Sequence, residues 1–123
     1  MKTILIVEFH NRTREILMRA IQSDHLTVIT TDNGADALAI INNQPPNLII
    51  TEIILPKING FQLCRQLASN ELTVNIPIII LTSFDDEFTA YWSRRGCPNV
   101  KDFIPKNNSN IGRLLEAINS LIG

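Results

Sequence analysis

Short aliphatic runs recur along the chain at Ile4 to Val7, Leu26 to Ile29, Leu48 to Ile50, Ile76 to Leu81 and Val100 to Ile104. Each has strand length, most are rich in Ile and Val, and their hydrophobicity is continuous rather than alternating. Continuous runs mark strands buried on both faces, which predicts a parallel sheet. Between them the apolar spacing is helical. Ile16, Leu17, Ala20 and Ile21 form one inward stripe after a cap at Asn11, and Ala37, Leu38 and Ile41 form a second after a cap at Asn33. A third helix starts at Gly60 with Phe61, Cys64 and Leu67 inward. A fourth runs between Ser83, which with Asp86 makes a capping-box pattern, and Gly96, which suits a left-handed stop. Its face carries Phe88, Tyr91 and Trp92, which is unusually aromatic for a helix covering a sheet. The last helix is the clearest, because Ile111, Leu114, Leu115, Ile118, Leu121 and Ile122 trace one stripe.

Strand and helix thus alternate throughout, with no linker or low-complexity stretch to mark a second domain. Right-handed crossovers then put helices on both faces of the sheet. In such a sheet ligands lie beyond the carboxyl ends of the strands. The residues expected there are Glu8, Phe9 and His10 after the first strand, Glu52 and Ile53 after the third, Thr82 and Ser83 after the fourth, and Pro105, Lys106 and Asn107 after the fifth. Two carboxylates, a hydroxyl pair and a lysine converge.

Composition narrows the functional classes. At 123 residues, 45% hydrophobic and 19% charged, residues 1–123 read as one folded domain with enough core to need neither disulfides nor metals. A net charge of −1 supplies no global field for nucleic acid or an anionic membrane. The apolar run near the start is too short for a signal-peptide core or a membrane span, so a cytoplasmic location is expected. Cys64 and Cys97 lack metal-type spacing and read as reduced structural thiols, with a disulfide or a nucleophile as the lesser alternative. His10 and His25 read as ordinary surface histidines.

Several segments carry a resemblance: Ile4-Leu5-Ile6-Val7-Glu8, Asn33-Gly34-Ala35-Asp36-Ala37-Leu38, Pro46-Asn47-Leu48-Ile49-Ile50, Leu55-Pro56 followed by Asn59-Gly60, Ile76-Pro77-Ile78-Ile79-Ile80-Leu81-Thr82, and Asp102-Phe103-Ile104-Pro105-Lys106. In this order the chain resembles the response-regulator receivers of bacterial two-component (phosphorelay) signalling, of the chemotaxis-regulator type, over essentially its whole length. The resemblance implies a flavodoxin-like (βα)5 α/β fold, a doubly wound five-stranded parallel sheet in the order 2-1-3-4-5. It also implies a site in which an acidic pair holds Mg²⁺, an aspartate accepts a phosphoryl group, and a Thr or Ser with a Lys binds its oxygens.

Against that pattern the chain departs in three places. Glu8 keeps the first acidic position, but the second is Phe9, and a ring offers no oxygen to a hard cation. The phosphoacceptor position is Glu52, whose extra methylene displaces the attacking oxygen; misplacement of about 1 Å can cost roughly 100-fold. Asn107 replaces the family proline after the lysine, and because a cis bond to a non-proline costs about 2.5–4 kcal/mol, a trans bond is expected there. Thr82 and Lys106 are retained, and Phe103 stands where the family carries its switch aromatic.

These residues predict a degenerate receiver, or pseudo-receiver: not an enzyme, with Mg²⁺ binding lost or very weak and no other cofactor. Glu52 approaches Lys106, either as a partial mimic of the phosphorylated state or as a structural ion pair. Phe9 either plugs the vacated metal site or stands exposed against His10. Thr82 and Ser83 are either phosphate contacts or merely a strand end and a helix cap. The implied partners are signalling proteins, such as a histidine kinase or an output protein, with homodimerisation as an option and no nucleic acid or membrane binding by the chain itself. The expected partner face combines the fourth helix, the fifth strand and the last helix, and carries Tyr91, Trp92, Arg94, Arg95, Lys101 and Phe103. Rival readings are a working phosphoryl acceptor, a receiver cut from a longer DNA-binding regulator, and a flavodoxin-like cofactor binder. The last needs a hydroxyl- or glycine-rich phosphate loop, which Glu8-Phe9-His10-Asn11-Arg12 does not provide.

Overall fold

The computed structural model describes residues 1–83, 95–107 and 110–123. The strands are β1 (Lys2–Val7), β2 (Leu26–Thr31), β3 (Leu48–Thr51), β4 (Ile78–Thr82) and β5 (Val100–Pro105). The described helices are α1 (Asn11–Ile21), α2 (Gly34–Asn43), α3 (Gly60–Ala68) and the C-terminal helix, here α4 (Ile111–Ile122). The strands form one five-stranded sheet in the order β2-β1-β3-β4-β5, every pairing parallel. The expected strand order and class are both found. The predicted fourth helix falls largely on residues 84–94, so Phe88, Tyr91, Trp92 and Arg94 lie outside the described residues.

Alternate strand residues enter two separate cores. Leu5, Val7, Ile49, Ile78, Ile80 and Phe103 pack with Ala37 and Ile41 of α2 and with Leu63, Cys64 and Leu67 of α3. Ile4, Ile6, Leu48, Ile50, Ile79 and Ile104 pack with Leu17 and Ile21 of α1 and with Leu114 and Ile118 of α4. A strand with a helix layer on each side has no solvent face to mark with polar residues, which is why β1, β3 and β4 read as unbroken aliphatic runs. β2, at one edge, is only half-buried.

The structure corrects several expected details. β4 begins at Ile78 rather than Ile76, because proline at position 77 has no N–H to give the ladder, although its carbonyl accepts the Ile49 N–H of β3. His10, not Asn11, caps α1; Asn11 is already helical, and its side chain receives the Arg14 guanidinium. Ile16 and Leu115 are exposed, beside the buried Leu17 and Leu114 of the same helices. Gly96 does not adopt positive φ, so it is no left-handed stop. Asn33 does cap α2, accepting from the Asp36 N–H at 2.8 Å, and Asn59 with Gln62 closes a reciprocal capping box on α3.

Two glycines are required by close approach. A Cβ on Gly34 would sit 1.9 Å from the Ile58 carbonyl oxygen, and one on Gly60 would sit 2.4 Å from the Glu52 carbonyl oxygen. The second contact docks the start of α3 directly onto the residue that follows β3. Among the described residues no helix is long and apolar enough to cross a membrane.

Candidate functional site

Parallel register brings the candidate site together. Val7 pairs with Thr51, so the next residues, Glu8 and Glu52, leave neighbouring strands side by side; the Glu52 N–H donates to the Val7 carbonyl at 3.0 Å. Across the sheet Thr82 pairs with Pro105, and its carbonyl accepts the Lys106 N–H at 2.7 Å. The Lys106 side chain therefore starts two strands away from Glu52 and three from Glu8, and has the length to reach back over the strand ends.

It reaches both carboxylates. The Lys106 Nζ lies 2.8 Å from Glu52 Oε2 and also pairs with Glu8 Oε1. Glu8 is 2% exposed and Glu52 7%, so these are buried acids around a single ammonium. Their remaining oxygens are occupied by backbone donors: His10 N–H to Glu8 Oε2 at 3.0 Å, and Ile53 N–H to Glu52 Oε1 at 2.7 Å. Arg14 from α1 holds the turn beneath, donating to the carbonyls of Glu8 at 2.8 Å and Phe9 at 3.2 Å.

Burial disfavours the charged ammonium of Lys106, but the hydrogen bonds and charges of Glu52 and then Glu8 outweigh it, so its pKa rises above the ordinary 10.5. The ammonium is charged throughout the physiological range.

Sequence reasoning paired Glu52 with Lys106 but missed that Glu8 shares the same ammonium. The signal was the register: two strands that begin in parallel and end in acids must deliver both carboxylates to one edge. Phe9 is not a plug; it is 51% exposed and stands edge-on to His10 with ring centroids 5.6 Å apart. Thr82 is buried, Ser83 exposed and Asn107 exposed, and the Lys106 to Asn107 bond is trans. Phe103 is 7% exposed and belongs to the core over α2 and α3, so it is not part of the outer surface expected to meet a partner. Alternation along β5 explains this. A register shift between Ile78 and Ile79 leaves Lys101 opposite no residue of β4 and exposed, which turns the following Asp102 and Phe103 to fixed sides. Of the expected partner face, Arg95 and Lys101 are described and exposed.

Comparison with known proteins decides the family. Residues 4–119 match the response regulator receiver domain. The chain belongs to that family. Protein PilH of Pseudomonas aeruginosa is 30% identical over 122 residues, covering 99% of this chain and 98% of PilH. The phosphate regulon transcriptional regulatory protein PhoB of the same organism is 38% identical over 86 residues, which are 70% of this chain but 38% of PhoB. The receiver fold is shared with the response regulator TrrA of Thermotoga maritima, solved in complex with Mg²⁺ and BeF, at a TM-score of 0.85 and 24% identity over 99% of this chain and 100% of that one. Receiver domains are signalling modules of two-component systems that work with histidine kinases and output proteins.

Proposed function

We propose that this receiver domain is a phosphorylation-independent protein-interaction module, with Glu52 at the phosphoacceptor position neutralised from within by Lys106. The observation that carries this reading is the single ammonium bridging Glu8 and Glu52. In the family the same corner holds a divalent cation and, after phosphorylation, phosphoryl oxygens. Here a tethered cation and a longer carboxylate occupy it together. The donor set does not fit Mg²⁺, a hard ion that demands near-octahedral oxygen ligands at about 2.0–2.1 Å. Phe9 contributes a ring turned to solvent, and each carboxylate already has one oxygen on Lys106 and the other on a backbone N–H.

Phosphoryl transfer depends on positioning and charge neutralisation at the acceptor, so an acceptor oxygen already tied into an ion pair is a poor nucleophile. The Glu52 and Lys106 charges resemble the bonded arrangement of a phosphorylated receiver in part, with one negative charge where a phosphoryl group has about two. The domain therefore presents one fixed output surface, which we assign to the end of the sheet at β5 and the segment preceding it, with Arg95 and Lys101 as its described members and Tyr91, Trp92 and Arg94 alongside them in sequence.

The test is incubation of the whole chain with acetyl phosphate and Mg²⁺, followed by intact mass measurement. No phosphoryl adduct is expected, and partner binding should be the same before and after. A stoichiometric adduct on Glu52 would overturn the proposal in favour of a working acceptor.

A further inference from the structure

A second cluster of reactive side chains lies away from the carboxyl edge. Cys64 on α3 and Cys97 in the turn before β5 are 33 positions apart in sequence, yet both enter the same core, close enough for each thiol to shift the titration of the other. Neither is in a disulfide. Their surroundings differ. Cys64 is completely buried on the inner face of α3. Cys97, almost as buried, forms one wall of a cavity of about 420 Å³ that Phe61, Arg65, Arg95 and Gly96 also line. A water molecule's share of liquid volume is about 30 Å³, so the cavity admits a small polar reagent with room to spare. Of the two arginines on its wall, Arg65 favours an anion at the Cys97 sulfur.

The two thiols are also electrically unequal. Cys64 is raised well above its ordinary value, first by its hydrogen bond to Cys97 and then by burial. Cys97 is lowered, first by that same hydrogen bond and against its burial, with the Arg65 charge adding to the effect. Position sets the same order: Cys97 lines the cavity and Cys64 does not.

We propose that Cys97 and Cys64 form a hydroperoxide-sensitive dithiol, in which Cys97 attacks the oxidant from the arginine-lined cavity and Cys64 resolves the product into an intramolecular disulfide. In the first step the Cys97 thiolate attacks one oxygen of the hydroperoxide. The S–O bond forms, the O–O bond breaks, and the departing alkoxide or hydroxide takes a proton from solvent. In the second step Cys64 gives up its proton and its sulfur attacks the Cys97 sulfur; the S–O bond breaks and hydroxide leaves with that proton as water. Two thiols lose two electrons, and one hydroperoxide becomes an alcohol, or water, plus a further water. The new bond would tie α3 to the turn that starts β5, next to Arg95 and Lys101.

The test uses hydrogen peroxide in equimolar amount on the reduced full chain, with intact mass and native alkylation as readouts. The expected product is a monomer lighter by two hydrogens that has lost both alkylatable thiols and regains them with dithiothreitol. Cys64→Ser should instead accumulate one added oxygen on Cys97, and Cys97→Ser should not react at that dose. Oxidation of the native wild-type chain should be several-fold faster than of the urea-unfolded chain, a comparison that needs no variant. A native chain that reacts more slowly than the unfolded one, a disulfide between chains, or equal reaction of Cys97→Ser would each overturn the proposal.

Discussion

Replacing Lys106 with methionine keeps most of the side-chain volume and removes the ammonium from between Glu8 and Glu52. Both acids stay buried, at 2% and 7% exposure, and face each other without a cation. Breaking a buried ion pair by removing one partner costs about 3–5 kcal/mol, mostly because the other charge is left uncompensated. The lower end applies here for two reasons. The Lys106 side chain is 18% exposed, so water replaces part of what is lost, and each carboxylate keeps a backbone N–H. A loss of about 3 kcal/mol at roughly 3–6 °C per kcal/mol lowers the melting midpoint by about 10–20 °C in a domain of this size. Thermal unfolding followed by circular dichroism at pH 7 measures it. Adding Glu8→Gln and Glu52→Gln to Lys106→Met should restore much of the stability, since exchanging a whole buried ionic group for neutral ones is often close to neutral. If Lys106→Met stays within about 1 kcal/mol of the parent, the triad behaves as a surface ion pair and the argument for a built-in cation fails.

Other outcomes follow from the same geometry. The Lys106 pKa is raised on folding, so its stabilising contribution is complete below 10.5 and is lost as pH climbs through the higher folded value; denaturant midpoints should fall in that alkaline window and the fall should be absent in Lys106→Met. Millimolar Mg²⁺ should leave the melting temperature unchanged, whereas a ligand held only by the folded state would raise it. Gly60→Ala should destabilise by about 1–3 kcal/mol or more because its Cβ meets the Glu52 carbonyl, while Gly112→Ala, with nothing within 4 Å, should stabilise α4 by about 0.5–1 kcal/mol in urea titrations.

Sequence alone determined the class of this protein because its information is periodic. Aliphatic runs at β1, β3 and β4 can only be satisfied by covering both faces of a sheet, and the helical stripes between them supply the cover. The same order placed Glu8, Glu52, Thr82 and Lys106 at strand ends, so their meeting at one edge was legible too. What the tertiary structure decided were matters of direction and of distance between remote positions. Whether Phe9 points in or out, and that Phe103 faces the core over α3, depend on how strand ends twist and on the extra residue at Lys101. That one ammonium serves both Glu8 and Glu52 depends on register across four strands. The meeting of Cys64 and Cys97 in one core has no local signature at all: it exists because α3 and the turn before β5 cover the same face of the sheet, and only packing in three dimensions brings two such distant side chains together.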